Sequence, residues 1–426
     1  MYERLDRLYR YSDPVDVLEM FRAYLEPRVQ EIDTRYSYGY VLAEDIYSPI
    51  DRPFTDISHV DGYAVRSIDT RGASSRNPVR LRVVRDVDPR NAHMYRLGTG
   101  EAVFVETAYP LPEGADAVVP VESVRREDDT VVIYREVCSG SDVFHRGSDF
   151  RNGEKIASRG DVIGLSLYRA LMDLGVKRVR VYRRPRIAIV GVGTELTEEI
   201  VEPSTERITA SSSYFLKHLL EHHGARVVYT GLAKDDPADL VSKINYLLRK
   251  RIDLIVTIGG VSMGPKDFTW ITLYRYYAPK VFFRGLKIHP GRSTSGLLAG
   301  DTPVINLPGL PQSTLAGTLF LLLPMINYML GRGFNIELPY TMAYFDKDYI
   351  FDKYIGFYRL RFLKIDYDSG KAEMIRGLGS YHVSIFLKSD AFTIIKPQIK
   401  ELHKGEYVKA YFIEPLFAYN KKAMVI

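Results

Sequence analysis

The sequence predicts a multidomain α/β protein built around a doubly wound parallel sheet, and three observations carry that expectation. Between Arg186 and Leu330, apolar runs at 186–190, 226–230, 252–258 and 303–306 alternate with helical patterns at 212–223, 237–251 and from Gln312 onward. Strands separated by helices belong in a parallel sheet covered on both faces. Ahead of that stretch, and again after Pro339, the runs are short and alternating, which is the pattern of β-rich modules.

Each element has its own warrant. In 14–28, Val15, Val17, Leu18, Phe21 and Leu25 recur at helical spacing behind Ser12-Asp13, a suitable N-cap. Pro49 and Pro53 break the pattern into a loop over 47–54. The runs 79–84, 102–107, 117–121 and 130–136 are separated by Gly, Pro and Asp clusters and read as a small β-rich module. A helix is expected at 164–174 and an extended segment at 179–182. The basic run 177–184 alternates its charges with apolar residues, so it reads as the solvated face of a strand rather than a nucleic-acid patch. Within 237–251, Leu240, Ile244, Leu247 and Leu248 share one helix face. The tail returns to strand-like runs at 357–365, 392–395 and 407–413 and reads as a separate β domain.

Composition bounds the function. A chain of 426 residues corresponds to about three domains at roughly 150 residues each. Its 58 Lys and Arg against 53 Asp and Glu leave a net charge of +5, too small and too dispersed to indicate a nucleic-acid partner. Cys138 is the only cysteine, which rules out a disulfide within the chain and any multi-cysteine metal site, and it suits a reducing, cytoplasmic setting. Residues 1–10 carry charges of both signs and no apolar core, so no signal peptide is expected. The uncharged stretch after Asp301 has an apolar run at 315–330, but it is short for a bilayer and holds Gly317, Pro324 and Asn327. It reads as a buried helix, with no membrane partner.

In an open parallel sheet, ligands bind beyond the carboxyl ends of the strands. Three strand exits carry turn chemistry here: Gly191-Val192-Gly193-Thr194-Glu195, Gly259-Gly260-Val261-Ser262-Met263-Gly264-Pro265-Lys266-Asp267, and Asn306-Leu307-Pro308-Gly309-Leu310-Pro311-Gln312-Ser313. Glycine lets the backbone approach a phosphate, and a following helix offers free N–H groups. Glu195 and Asp267 are oxygen ligands of the kind Mg²⁺ takes beside substrate phosphates. Ser262 and Ser313 offer hydroxyl donors, and Arg292, in His289-Pro290-Gly291-Arg292-Ser293, pairs with oxyanions. Together these residues point to phosphate-ester or phosphoanhydride chemistry with Mg²⁺.

At these loops the sequence resembles the MoeA family of molybdopterin molybdenumtransferases, related to the E domain of gephyrin. The strings that carry the resemblance are Asp61-Gly62-Tyr63-Ala64-Val65, Pro112-Glu113-Gly114-Ala115-Asp116-Ala117-Val118-Val119, Gly193-Thr194-Glu195-Leu196, Asp235-Asp236-Pro237, Gly259-Gly260-Val261-Ser262 with Gly264 and Asp267, Pro290-Gly291-Arg292, and Leu307-Pro308-Gly309 with Pro311 and Ser313. The resemblance implies an elongated N-terminal domain (1–55 and 145–184) interrupted by a β-rich insert (56–144). A molybdopterin-binding α/β domain (185–335) and a C-terminal β barrel (336–426) follow. It implies a homodimer whose cleft lies between the α/β domain of one subunit and the insert of the other. The implied reaction inserts molybdate or tungstate into adenylylated molybdopterin and cleaves the adenylate with Mg²⁺, releasing AMP; an upstream molybdopterin adenylyltransferase is the implied supplier.

By that similarity Asp61, Glu195 and Asp267 are the acids of the site, with Glu195 and Asp267 as metal ligands. Thr107, Arg146, Gly259, Gly260, Ser262, Gly264, His289, Arg292, Pro308, Gly309, Pro311, Ser313 and Ser384 are its substrate-binding residues. The chain departs from the family pattern at Thr194 (usually Asp), His289 (usually Lys), Arg292-Ser293 (usually Lys-Pro) and Leu310 (usually Asn), and Ala210 and Ser212 stand in a segment where Asp and Asn are expected. Arg is no simple substitute for Lys. These departures motivate an alternative, a catalytically impaired paralogue that binds molybdopterin as carrier or scaffold. A dinucleotide-binding oxidoreductase fits poorly, because Gly191-Val192-Gly193 lacks the third glycine and the acid about 20 residues on.

Overall fold

The computed structural model describes residues 10–84, 87–204, 206–261, 268–375 and 379–413. By contact density the chain divides into two units, Glu31–Tyr38 with Glu44–Arg180, and the remainder. The chain enters through helix α1 (Pro14–Phe21), capped by Asp13, whose carboxylate accepts from the Val15 N–H. The helix is shorter than the periodicity suggests, because its last apolar position, Leu25, follows a tighter helical turn at Arg22–Tyr24.

The smaller unit contains a six-stranded sheet. Its strands are β1 (Gly62–Val65), β2 (Val79–Val84), β3 (Glu101–Val105), β4 (Ala117–Pro120), β5 (Val124–Glu127) and β6 (Thr130–Ile133), in the order β4-β1-β3-β2-β6-β5. One face buries Tyr63, Val65, Leu81, Val119 and Ile133, and the other buries Ala64, Val103, Val105 and Val118 under Leu97 and Leu111. Helix α2 (Leu165–Asp173) follows.

The larger unit is led by strands β7 (Arg186–Val192), β8 (Arg226–Ala233), β9 (Leu254–Ile258), β10 (Phe282–Arg284), β11 (Ile288–His289), β12 (Ser295–Ala299) and β13 (Thr302–Leu307). Its central sheet runs β8-β7-β9-β13-β12-β10. The pairs β8–β7, β7–β9 and β9–β13 are parallel, as expected, whereas β12 and β10 add an antiparallel arm. The sheet is therefore mixed rather than wholly parallel. Neither arm strand stands out in the sequence, since Ser295-Gly296-Leu297 lacks β-branched residues. A β-carbon at Gly296 would lie 2.7 Å from the Phe283 ring, so glycine is what lets β12 sit against β10.

Helices α3 (Ser211–His222) and α4 (Pro237–Leu248) cover opposite faces. Along β7, Ile187 and Ile189 join the core under α3 with Leu216, Leu219 and Leu220, while Ala188, Val190 and Val192 join the core under α4 with Leu240, Ile244 and Leu247. A strand buried on both faces needs an unbroken apolar run, and β7 has one. Helix α5 (Phe268–Tyr277) adds Leu273 to the α4 side. The stretch after Asp301 forms β13 and then α6 (Pro311–Gly317), a wider helical turn at Thr318–Leu322, and α7 (Leu323–Met329), with most of its residues buried. Among the described residues no helix is long and apolar enough to cross a membrane.

The C-terminal strands are β14 (Tyr340–Phe345), β15 (Tyr358–Asp366), β16 (Lys371–Met374), β17 (Ala391–Ile395) and β18 (Tyr407–Phe412), with α8 (Ser384–Lys388) before β17. Their order, β15-β16-β14-β18-β17, closes on itself through a β17–β15 pairing, which makes a barrel. Strand β11 pairs with β15 outside that ring, placing His289 opposite Arg359.

Candidate active site

Register brings the strand exits together. Gly191 of β7 lies level with Ile258 of β9, which lies level with Leu307 of β13. Parallel strands so aligned end at one edge, and their exit loops are neighbours. The Gly259 N–H donates to the Leu307 carbonyl at 3.0 Å, and Ser212 Oγ donates to the Gly309 carbonyl at 3.3 Å. Gly259 has φ +103°, and a β-carbon there would lie 2.3 Å from the Val192 carbonyl oxygen. Gly260, at φ +64°, would collide with Thr269 Oγ1. Gly259 is thus required by the approach of one exit loop to the next, and Gly260 by the packing of its loop against Thr269 of α5.

At the β7 exit the Glu195 carboxylate folds over Gly193, whose added β-carbon would lie 2.8 Å from a Glu195 oxygen. Thr194 and Asp235 are reciprocally bonded: the Thr194 N–H donates to Asp235 Oδ2 and the Asp235 N–H donates to Thr194 Oγ1, both at 3.2 Å. A carboxylate therefore stands beside this exit although residue 194 is not an acid. Asp235 stands in the Asp235-Asp236-Pro237 string that carries the resemblance, but spacing alone reads it only as the lead into α4. At the β13 exit, Thr314 Oγ1 donates to the Pro308 carbonyl at 2.6 Å, fixing the Pro308–Pro311 turn onto α6. Ser313 is buried in the first turn of α6. Ser262, Gly264 and Asp267 lie outside the described residues. Among the described residues no cluster of three or more His, Cys, Asp or Glu is gathered as a metal cage.

A second feature lies where β11 and α6 meet the barrel. A cavity of about 540 Å³ is lined by His289, Gln312, Asp352, Lys353, Tyr354 and Arg361, with Ser380 and apolar neighbours. The His289 ring stacks on Tyr354 at 3.8 Å between centroids and 20° between planes, with Arg361 Nη1 3.5 Å from His289 Nδ1. The Arg292 guanidinium lies 5.6 Å from the Tyr354 ring centroid. Arg359 is fully buried and donates from Nη2 to the Lys396 carbonyl at 3.0 Å, while its Nε and Nη1 have no hydrogen-bond partner among the described residues. Burial, then the charges of Arg361, Arg292 and Arg359, push the His289 imidazole down to about 4. Burial and Arg359 likewise lower Arg361 to about 10. Gln312 joins the two features: its Nε2 donates to the Gly379 carbonyl at 2.8 Å from the first turn of α6. Ser384 opens α8, and it is Ser380 that lines the cavity.

In the smaller unit the structure joins two expected residues. The Thr107 N–H and Oγ1 both donate to Asp61 Oδ1, at 2.7 and 2.9 Å, and hold that carboxyl below the usual range. The cause is the β1–β3 pairing: Gly62 faces Val105, so Asp61 and Thr107 lie at the same end. Arg146 is elsewhere, bonded through its backbone N–H to Asp56 and through its side chain to Asp51.

A mixed sheet with glycine-lined exits, joined to a closed barrel, places the chain among multidomain α/β proteins with a C-terminal β barrel. Two family models match: the MoeA N-terminal region (domain I and II) over residues 12–175, and the probable molybdopterin binding domain over 188–328. A putative molybdopterin biosynthesis protein of Methanocaldococcus jannaschii is 29% identical over 93% of this chain and 96% of its own length. Molybdopterin molybdenumtransferase 2 of Mycobacterium tuberculosis is 32% identical over 74% of this chain and 78% of its own. Two crystal structures of molybdopterin biosynthesis MoeA proteins from Pyrococcus horikoshii superimpose with TM-scores of 0.77 and 0.75, at 29% and 26% identity, over 95% of this chain and 99% and 100% of theirs. The chain belongs to the MoeA family of molybdopterin biosynthesis proteins.

Proposed function

We propose that this chain is a molybdopterin molybdenumtransferase: it takes adenylylated molybdopterin with molybdate or tungstate, places the metal on the dithiolene, and releases AMP in a Mg²⁺-dependent cleavage. One observation carries the reading. The glycine-lined sheet edge, suited to phosphate, and the cation-lined cavity, suited to an oxyanion, are joined by a single short helix, α6, whose first turn touches both. A phosphorylated pterin and a metal oxyanion are what those two surfaces would hold side by side.

In this reading the backbone N–H groups at Gly260 and Gly309, with Ser262, Gly264 and the Pro308–Pro311 turn, receive the pterin and its phosphates, while Gly259, its N–H held by the Leu307 carbonyl, keeps the two exits together. Arg361 and Arg292 orient the oxyanion, with Ser380 or Ser384 as hydroxyl donor. Glu195 and Asp267 would hold Mg²⁺, and Asp235 stands within the same edge. Oxygen donors from one or two carboxylates plus substrate phosphates are the set Mg²⁺ takes, so the residues fit without an all-protein cage. When bound, Mg²⁺ supplies charge neutralisation on the anhydride. Asp61, Thr107 and Arg146, in the other unit, serve the site of a partner subunit in a homodimer. An adenylyltransferase acting upstream supplies the substrate, in the cytoplasm.

Incubating the purified protein with adenylylated molybdopterin, Mg²⁺ and either oxyanion tests this directly. AMP is expected in step with the oxyanion added. Absence of AMP with both would overturn the transferase. Pterin binding that survives E195Q and D267N, with no turnover to lose, would instead establish a carrier or scaffold.

A further inference from the structure

His289 is half-buried, stacked on Tyr354 and 3.5 Å from Arg361, with its imidazole pushed down to about 4 by burial and the neighbouring cations, at the position where the family resemblance implies a lysine. We propose that an oxyanion entering this cavity brings a proton with it onto His289, so that oxyanion capture by this chain is proton-coupled. The inference rests on the reading of the cavity as an oxyanion site.

The groups facing the imidazole come from every element packed on it. Strand β15 supplies Arg361, at 3.5 Å, and Arg359, opposite in register. The turn after β11 supplies Arg292, and the loop before β15 supplies Tyr354, with Asp352 and Lys353 at the cavity wall. Helix α6 brings no ionisable side chain, and His382 in the 379–385 segment turns its ring to the Gly379 carbonyl. In the free protein nothing anionic within this set offsets the three arginines and Lys353 except exposed Asp352, and a proton on His289 would be a fifth positive charge. A dianion seated against Arg361 and Arg292 reverses that balance, because opposite charge nearby favours the charged form. The charged ring already has a partner: an imidazolium lying face-on to Tyr354 gains cation–π attraction that the neutral ring lacks. A proton on Nδ1 also ends its contact with Arg361 Nη1 and leaves that guanidinium edge for the anion.

The sign follows from linkage. A group whose proton affinity rises on binding takes up a proton, so affinity for the anion falls as pH rises, by up to tenfold per unit, between the free and bound titration midpoints. The test is calorimetric binding of molybdate, and of sulfate, which stays dianionic, to the full chain between pH 5 and 8 in two buffers of different ionisation enthalpy. The wild type is expected to bind more weakly as pH rises, with net proton uptake. H289Q is expected to bind independently of pH with no uptake, and H289K to bind at pH 8 as tightly as at pH 6. Identical pH profiles for wild type and H289Q overturn the proposal while leaving the oxyanion site standing. Failure of the wild type to bind either anion at any pH overturns the oxyanion site itself, and the proposal with it. A readout that needs no variant is the proton NMR titration of the nine histidines: one midpoint should move upward on adding sulfate, and none moving overturns the proposal.

Discussion

Thr107 donates two hydrogen bonds to a single oxygen of Asp61, one from its backbone N–H at 2.7 Å and one from Oγ1 at 2.9 Å. The residues are far apart in sequence and meet because β1 and β3 are antiparallel neighbours. The backbone bond, then the hydroxyl, stabilise the ionised carboxylate. T107V removes the hydroxyl and keeps the amide. The Asp61 midpoint, read by NMR, should rise but stay below the ordinary value, and T107S should restore it. Any stability gained from ionised Asp61 is present above its unfolded midpoint and is lost as pH falls through the depressed folded one. If Asp61 serves the reaction, T107V should lower kcat more than it raises KM.

Gly259 and Gly300 separate backbone strain from steric collision. Both have positive φ, +103° and +62°, but among the described residues a β-carbon at Gly300 meets nothing within 4 Å, whereas at Gly259 it meets the Val192 carbonyl at 2.3 Å. G300A should cost about 1 kcal/mol. G259A must move one strand exit away from another and should cost about 3 kcal/mol or more, seen as a large fall in Tm or loss of soluble protein. Equal losses for both would show that the exits are not held together as described.

What the sequence disclosed follows from how local each signal is. The apolar run of β7 and the helical face Leu240–Ile244–Leu247 are readable because burial on a strand or helix leaves a short-range period. The glycine exits are readable because close backbone approach admits one residue type. The antiparallel arm is not: Gly296 in β12 resembles a turn residue until Phe283 of β10 is seen against it. Nothing in the strand-like run at 357–365 marks Arg359 and Arg361 as inward-facing, and only closure of the barrel turns that side of β15 inward, with Leu363 and Ile365. The pairing of Asp235 with Thr194 and the place of Ser380 at the cavity are likewise set by loops meeting across the fold, which leaves no spacing to read.

Asp253 illustrates the opposite end of the sheet. It precedes β9 and accepts Arg183 Nη2 on both oxygens at 2.8 Å and the Arg186 N–H at 2.7 Å, with its side chain only 10% exposed. Because ligands are expected beyond the carboxyl ends of the strands, this acid serves stability. D253N leaves Arg183, whose side chain is 25% exposed, half-paired and should cost about 1–2 kcal/mol in urea unfolding. The folded variant should keep the wild-type KM. A selective loss of substrate binding with unchanged stability would contradict this placement.

Arg361 should show the reverse trade. Burial and Arg359 lower its proton affinity to about 10, so in the folded chain its charge is less favourable than in water. A cation depressed in this way opposes folding at every pH below its folded midpoint, and the penalty fades as pH rises through that midpoint toward the unfolded value. R361M keeps most of the side chain's volume and removes the charge. Its Tm at pH 7 should equal or exceed that of the wild type, since a buried charge replaced by a packed apolar group is often neutral or stabilising. The same change should weaken molybdate and sulfate binding by tenfold or more, about 1.4 kcal/mol, because the cavity loses the cation nearest His289. A fall in Tm with unchanged anion affinity would make Arg361 a structural residue of the barrel and remove it from the site.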